Sequence, residues 1–221
     1  MIRAVLFDLD GTLYDRDAAI QRVAADQYTV FEERLTHVGR RRFIDRYLEL
    51  DGHGYQSRAV LYRQMTVEFG LDATLAADLE LHFWDSYMRR CDVDDDTWTT
   101  LRTLKAAGKT LGIVTNGPTE WQLAKVRGLG FDGFFDVVLV SEAEGVQKPD
   151  PRIFQRALER CAAAPGEAMF VGDHPQIDVD GARAAGMLAV WKQVPYWTPT
   201  HDDVLTINRL SEILAVADVD S

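Results

Sequence analysis

Two acidic residues follow an apolar run near the start of the chain, at the point where a buried strand would end. Residues 4–7 are all apolar, and Asp8 and Asp10 come directly after them, with Gly11 to turn the chain. An uninterrupted apolar run is typical of a strand that is buried on both faces of a parallel sheet. Open α/β sheets bind their ligands at the carboxyl ends of the strands. The two carboxylates therefore predict a functional site at this strand end.

Three further apolar runs are followed by polar residues that can bind a metal or a phosphate. Thr115 and Asn116 end the second run, and Asp173 comes soon after the fourth. Lys148 lies in the loop after the third run. Because parallel strands point the same way, these side chains should converge at one edge of the sheet. Carboxylates and water suit Mg²⁺, and a hydroxyl, an amide and an ammonium suit phosphate oxygens. The set predicts Mg²⁺-dependent phosphoryl transfer.

The alternation of apolar runs with helical patterns predicts an α/β fold with a doubly wound parallel sheet. The predicted strands are residues 4–7, 110–114, 137–140, 168–171 and 188–191. Helical patterns separate the later runs, and a last helix is predicted over residues 205–215. The core domain is therefore expected to comprise residues 1–13 and 96–221.

Residues 14–95 are expected to form a separate helical domain inserted after the first strand. Their apolar residues recur at helical spacing, and the predicted helices are residues 18–37, 41–50, 60–70 and 72–90. The segment 51–55 interrupts this pattern with two glycines on either side of His53. Two interpretations of this loop carry equal weight: a segment that reaches toward the sheet edge and reads the leaving group, or a plain turn between helices.

Composition excludes several classes of function. The 221 residues carry a formal net charge of −11, so there is no excess of Lys and Arg to neutralise the phosphates of a nucleic acid or an anionic membrane. A small anionic substrate is still allowed, because a divalent cation can reverse the local charge of an acidic cleft. There is no signal-like start and no run of about 18 apolar residues that could span a membrane. With only two cysteines, the chain is expected to be cytoplasmic, with free thiols.

The polar groups at the strand ends resemble the four motifs of the haloacid dehalogenase-like hydrolase superfamily, in the right order. The matching segments are Asp8-Leu9-Asp10-Gly11-Thr12, Thr115-Asn116-Gly117, Lys148-Pro149, and Gly172-Asp173 with Asp178. The resemblance covers essentially the whole chain, and the helical insertion looks like the cap domain of that family. One such motif alone would be weak evidence, whereas the ordered set is specific.

The resemblance implies catalytic roles for the first motif and phosphate binding by the next two. Asp8 would be the nucleophile that forms an aspartyl-phosphate. Asp10 would be the general acid toward the leaving group and then the general base toward water. Thr115 and Lys148 would bind the phosphoryl oxygens, assisted by Asn116.

The resemblance also implies a Mg²⁺ site. Asp8, the backbone carbonyl of Asp10 and Asp173 would hold the ion, and Asp178 would be either an outer-shell or a direct ligand. The ion and Lys148 would screen the repulsion between the attacking carboxylate and the anionic phosphate.

The second acid separates several possible activities. Dehalogenases of this superfamily lack an acid at the position of Asp10, so a phosphatase for a small-molecule phosphate ester, of the nucleotide or sugar phosphate type, is favoured. A phosphomutase of the β-phosphoglucomutase type and a non-catalytic phosphate-binding protein on the same fold are the alternatives. The sequence does not distinguish a monomer from a homodimer.

Overall fold

A six-stranded parallel sheet lies at the centre of the first of two compact units, which comprises Met1–Tyr14 and the chain from Val93 onward. The computed structural model describes residues 1–219, so the last two residues of the predicted core domain lie outside the described chain. The strands are β1 (Ala4–Phe7), β2 (Thr110–Thr115), β3 (Val137–Val140), β4 (Ala168–Gly172), β5 (Leu188–Lys192) and β6 (Leu205–Ile207). Their order is β3-β2-β1-β4-β5-β6, and every pairing is parallel. The predicted doubly wound fold is confirmed.

Helices separate most of the strands and, with short turns, make up the second unit. They are α1 (Arg16–Val30), α2 (Arg40–Asp51), α3 (Arg58–Phe69), α4 (Ala73–Arg90), α5 (Asp95–Ala106), α6 (Thr119–Gly128), α7 (Ser141–Glu144), α8 (Pro151–Arg160), α9 (Gly181–Ala184) and α10 (Ile213–Val216). A π-helical turn (Pro175–Asp180) follows β4. Within residues 1–219, none of these helices has both the length and the apolar character needed to cross a membrane.

The register of the sheet brings the strand ends together. Phe7, the last residue of β1, lies beside Ile113 of β2 and beside Val171 of β4. All four residues of β1 are buried, because helices cover both faces of a parallel sheet. The backbone N–H of Asp8 then donates to the carbonyl of Val171 at 2.9 Å. The residues that follow β1, β2 and β4 therefore leave the sheet at one edge.

The prediction of a single helix over residues 205–215 is wrong at its start. Leu205–Ile207 is an edge strand that pairs in parallel with β5, and only Ile213–Val216 is α-helical. Ile207 is buried, whereas Leu205 is 37% exposed, as expected for a strand with a single neighbour. The apolar spacing from Leu205 onward resembles a helix, but pairing with β5 outweighs that local pattern.

The second unit, Asp15–Asp92, consists of α1 to α4 and short connecting turns. Asp15 and Asp72 cap the first and last of these helices by accepting hydrogen bonds from the N–H groups of Ala18 and Leu75. The first helix ends at Val30, seven residues before the predicted end at residue 37. A 3₁₀ turn, Glu32–Arg34, follows it. The predicted bundle of helices is present.

Candidate active site

A buried lysine joins two carboxylates at the carboxyl edge of the sheet. Lys148 Nζ donates to Asp8 Oδ1 at 2.6 Å and to Asp178 Oδ1 at 2.7 Å. Lys148 is 2% exposed and Asp178 is 1% exposed, so both charges lie out of water. Opposite charges hold one another strongly in such a setting, provided that their hydrogen bonds are satisfied. The fixed ammonium therefore positions the carboxylate of Asp8.

The electrostatics of this cluster are dominated by burial and by crowded carboxylates. Burial raises the pKa of Asp8 to about 7, with the charges of Asp178 and Asp10 adding to the effect and Lys148 opposing it. Burial alone would lower the pKa of Lys148, but attraction to Asp178 and Asp8 outweighs it and raises the pKa. Burial likewise raises the pKa of Asp173 well above its usual range, with the charges of Asp178 and Asp8 adding to it. In the absence of a further cation, these pKa shifts favour the protonated forms of Asp8 and Asp173.

Three acids have the donor set for a divalent metal ion. Oxygens of Asp8, Asp173 and Asp178 all lie within 4.8 Å of one another, and all three residues are buried. Hard oxygen donors of this kind suit Mg²⁺. A bound cation would also offset the repulsion that disfavours ionisation of these acids. The residues therefore fit the implied ion, and Asp178 belongs to the cluster together with Asp8 and Asp173, two of the three predicted ligands.

Glycine residues make room for two of these acids. A Cβ on Gly11, whose φ is +85°, would lie 2.7 Å from Asp173 Oδ2. A Cβ on Gly172 would overlap the side chain of Asp178. The backbone N–H of His174 donates to Asp178 Oδ2 at 3.0 Å, which fixes this carboxylate over the end of β4. The glycines that follow β1 and end β4 are thus needed for close approach of the acids.

The carboxylate of Asp10 accepts hydrogen bonds from residues outside the acidic cluster. Its carboxylate accepts hydrogen bonds from Lys125 Nζ at 2.6 and 2.5 Å, one to each oxygen. Gln122 Nε2 donates to Asp10 Oδ2 at 3.1 Å, and the hydroxyl of Tyr14 donates to Asp10 Oδ1. The side chain is therefore held by three donors, and the predicted metal contact through the backbone carbonyl of Asp10 stays a prediction.

The two residues predicted to bind phosphate after β2 have different surroundings. Thr115 is 1% exposed, and its hydroxyl oxygen lies 2.5 Å from Gln122 Nε2. The side chain of Asn116 forms a reciprocal pair with the backbone of Lys148: it donates to the carbonyl and accepts from the N–H, both at 2.9 Å. Asn116 thus fixes the chain segment that carries Lys148. Phosphate binding by Asn116, Thr115 and Lys148 stays a prediction.

His53 lies in the second unit, in a turn with unusual backbone geometry. Its φ of 55° is left-handed, and its Nδ1 is 2.6 Å from Asp17 Oδ2. The turn is tied to Asp51, which accepts from the N–H of Gly54 at 3.1 Å and from Arg16 Nη1 at 2.8 Å. The loop is therefore well ordered by its own hydrogen bonds, and a role of His53 in specificity stays a prediction.

Neither Lys125 nor Tyr14 was predicted from the sequence. Helical spacing places Gln122, Lys125 and Val126 on one face of α6, and only the structure shows that this face is buried. A lysine within a buried stripe of a helix indicates a buried anionic partner. No comparable signal marks Tyr14, which reaches Asp10 by a tight turn after β1.

Comparison with known proteins places this site in a family. The sequence profile of the haloacid dehalogenase-like hydrolases matches residues 2–186, which include every residue of the site described above. A ribulose-1,5-bisphosphate 5-phosphatase of Halopiger xanaduensis is 32% identical over 203 residues, covering 86% of this chain and 84% of that protein. A glyceraldehyde 3-phosphate phosphatase of Methanopyrus kandleri is 32% identical, covering 86% of this chain and 83% of that protein.

A solved structure shows the same similarity over nearly the full length. The crystal structure of a HAD phosphatase from Thermococcus onnurineus is 31% identical to this chain, with a TM-score of 0.69 and coverage of 97% of each chain. Profile, sequence and structure agree with the four motifs. The chain belongs to the haloacid dehalogenase-like hydrolase family.

Proposed function

We propose that this hydrolase is a Mg²⁺-dependent phosphatase that cleaves small-molecule phosphate monoesters through an aspartyl-phosphate on Asp8. The observation that carries the proposal is the position of Lys148, which donates to Asp8 and Asp178 beside a trio of acids able to hold a cation. A buried carboxylate between positive charges can approach an anionic phosphate without strong repulsion.

The first half-reaction transfers the phosphoryl group to the protein. An oxygen of Asp8 forms a bond to phosphorus while the bond from phosphorus to the ester oxygen breaks. Asp10 donates its proton to that oxygen, so the leaving group departs as a neutral alcohol. Lys148, Thr115 and the backbone held by Asn116 bind the phosphoryl oxygens.

The second half-reaction releases phosphate. Asp10, now a carboxylate, removes a proton from a water molecule whose oxygen attacks phosphorus, and the bond to Asp8 breaks. Inorganic phosphate leaves, and both acids return to their starting forms. Asp8, Asp173, Asp178 and the carbonyl of Asp10 would hold Mg²⁺, which would supply positive charge against the phosphoryl oxygens.

The substrate class that we favour is a sugar phosphate or a related monoester. Two relatives of similar length are named for phosphorylated sugars, and nucleotides are the next class to test. We also propose that His53 helps to choose the ester, since its left-handed turn presents a polar ring from an ordered loop. Replacing His53 with Ala should then change KM among esters more than it changes the rate on a small aryl phosphate.

A phosphatase screen tests the proposal directly. Purified protein with Mg²⁺ should release inorganic phosphate from 4-nitrophenyl phosphate and from at least one sugar phosphate or nucleotide. The Asp8→Asn variant should fold and release none above background. Turnover by that variant at the wild-type rate would overturn the assignment of Asp8. Isomerised hexose phosphate without net phosphate release would indicate a mutase instead.

A further inference from the structure

Lys125 is a buried lysine that donates hydrogen bonds to both oxygens of one carboxylate. It lies on α6, is 5% exposed, and its Nζ is within 2.6 Å of both oxygens of Asp10. Its position in the chain is 115 residues from Asp10, so the pairing is created by the fold alone. A cation placed symmetrically against both oxygens fixes the plane of the carboxylate as well as its charge.

Two further donors, Gln122 and Tyr14, also bind the carboxylate of Asp10. Gln122, one helical turn before Lys125 on the same face of α6, donates to Asp10 Oδ2 at 3.1 Å. Tyr14, two residues after the motif of residues 8–12, donates from its hydroxyl to Asp10 Oδ1. Gln122 also lies 2.5 Å from the hydroxyl oxygen of Thr115 and 2.8 Å from the carbonyl of Asn116. The α6 face therefore links the proposed acid to the residues after β2.

This arrangement is poorly explained by stability alone. Burying an ammonium and a carboxylate costs desolvation that their attraction offsets only in good geometry, and apolar side chains of similar size commonly do as well or better. A methionine at position 125 would fill the same space without that cost. Lys125 is buried and Asp10 keeps 21% of its side chain exposed, so the pair is part-buried beside a group that must transfer a proton. The precision that proton transfer needs explains such a pair better than stability does.

We propose that Lys125 is a positioning residue that orients the carboxyl group of Asp10 for proton transfer. The inference rests on the proposed function, in which Asp10 protonates the ester oxygen as its bond to phosphorus breaks. With Lys125 anchoring the carboxyl plane, one oxygen of Asp10 is directed to the leaving oxygen in the first half-reaction and to water in the second. In this proposal Lys125 acts through Asp10 and not on the substrate.

Comparing the rates of two esters with different leaving groups shows whether Lys125 positions Asp10 or only stabilises the fold. An alkyl phosphate needs its leaving oxygen protonated, whereas 4-nitrophenolate departs readily without a proton. Lys125→Met should therefore lower kcat/KM about 10- to 100-fold on the best alkyl ester, within the range for general acid catalysis, and less than about 3-fold on 4-nitrophenyl phosphate. Most of the loss should lie in kcat, with KM little changed.

Matched variants make each outcome decisive. Asp10→Asn should show the same selective loss on the alkyl ester, and adding Lys125→Met to it should cost nothing further on that ester. Arg127→Met, an exposed position on the same helix, should behave as wild type. If Lys125→Met fails to fold, Lys125→Gln, which keeps a donor, should show the same selective loss in smaller degree.

The possible failures are distinguishable. No phosphate release by the wild-type protein from either ester would defeat the proposed function itself. If Asp10→Asn lowered kcat/KM equally on both esters, Asp10 would not be the general acid. The role of Lys125 alone would be overturned by a different pattern. In it, Asp10→Asn loses activity selectively on the alkyl ester, whereas both Lys125 variants lose activity equally on the two esters or lose none.

Discussion

Lys148 Nζ donates a hydrogen bond of 2.6 Å to Asp8 Oδ1 across 140 positions of sequence. The same ammonium donates to Asp178 at 2.7 Å, so one lysine fixes the end of β1 against the turn that follows β4. Asn116 holds the backbone of Lys148 from both sides. The proposed nucleophile, its counter-charge and the trio of acids that could hold a metal ion are thus a single buried network.

Removing the counter-charge should impair catalysis more than folding. Lys148→Met is expected to lower kcat by roughly 10²- to 10³-fold, the usual effect of losing one fixed donor to a developing anion. The acids left behind can take up protons, so the protein should still fold. Steady-state kinetics and thermal unfolding measure the two effects separately. Lys105→Met, whose partner Asp136 is at the surface, is the control and should retain full activity.

A single methyl group at the end of β4 should weaken the metal site. Gly172→Ala places a Cβ against the side chain of Asp178 and must displace that acid. We expect Mg²⁺ affinity, measured by isothermal titration calorimetry, to fall about 10- to 100-fold, as when a supporting residue of a metal site is lost. Gly166→Ala, where a Cβ meets nothing within 4 Å, should bind the ion normally. Equal Mg²⁺ affinities in both variants would show that Asp178 does not contribute to the metal site.

Stabilisation by Mg²⁺ should grow with pH. Burial raises the pKa of Asp8 to about 7, above its unfolded value of about 3.9, so between these values the metal-free native state holds a proton that the unfolded state has lost. Stability of the metal-free protein therefore falls as pH rises through this window. Mg²⁺ must displace that proton, so the rise in Tm on adding Mg²⁺ should increase up to about pH 7 and then level off.

The control for this pH dependence is Asp8→Asn, which has no proton to displace at that position. Its rise in Tm with Mg²⁺ should be smaller and should change less with pH. A wild-type rise in Tm that is the same at about pH 5 and about pH 7 would contradict the protonation of the cluster.

The ends of β1 and β4 were predictable because short stretches of sequence determine them. β1 and β4 are short apolar runs that a parallel sheet buries on both faces, and Asp8 and Asp173 had to emerge at their carboxyl ends. β6 was not predictable in the same way, since only Ile207 of its residues is buried and its neighbours follow a helical spacing. Pairing with β5 decides its structure, and a local pattern does not show that pairing.

The surroundings of Asp10 were hidden for a related reason. The spacing of Gln122 and Lys125 shows that they share one face of α6, but spacing alone does not show whether that face meets solvent or the sheet edge. The answer depends on how α6 packs beside β2 and β3. Lys125 therefore became visible only once the fold placed Asp10 against it.

The buried acid of the second unit should stabilise it in a pH-dependent way. Burial alone would raise the pKa of Asp51, but hydrogen bonds and charge from Arg16 and Arg58 outweigh it and lower the pKa. Asp51→Asn removes the carboxylate that Arg16 and Arg58 share, leaving Arg16 with Asp17 at 3.2 Å, and should cost about 3–5 kcal/mol near neutral pH. Hydrogen exchange of the amides in α2 and α3 measures this local loss.

The lowered pKa of Asp51 determines how its contribution to stability changes with pH. The stabilisation by ionised Asp51 is fully present above the unfolded value of about 3.9 and is lost as pH falls toward the lower native value. The difference between wild type and Asp51→Asn should therefore shrink in acid. Asp45→Asn, at an exposed position beside Arg41, should change exchange little at any pH. A cost for Asp51→Asn as small as that of the control would contradict the network.

The most direct measurement is chemical trapping of the phosphorylated protein. Turnover of a ³²P-labelled ester is quenched in acid, and the peptides are separated and identified by mass spectrometry. An aspartyl-phosphate on Asp8 should leave label on the peptide that contains Asp8. That label should be absent from Asp8→Asn and increased in Asp10→Asn, which slows hydrolysis of the intermediate. Steady phosphate release by the wild-type protein with no label at Asp8, together with full turnover by Asp8→Asn, would contradict this intermediate.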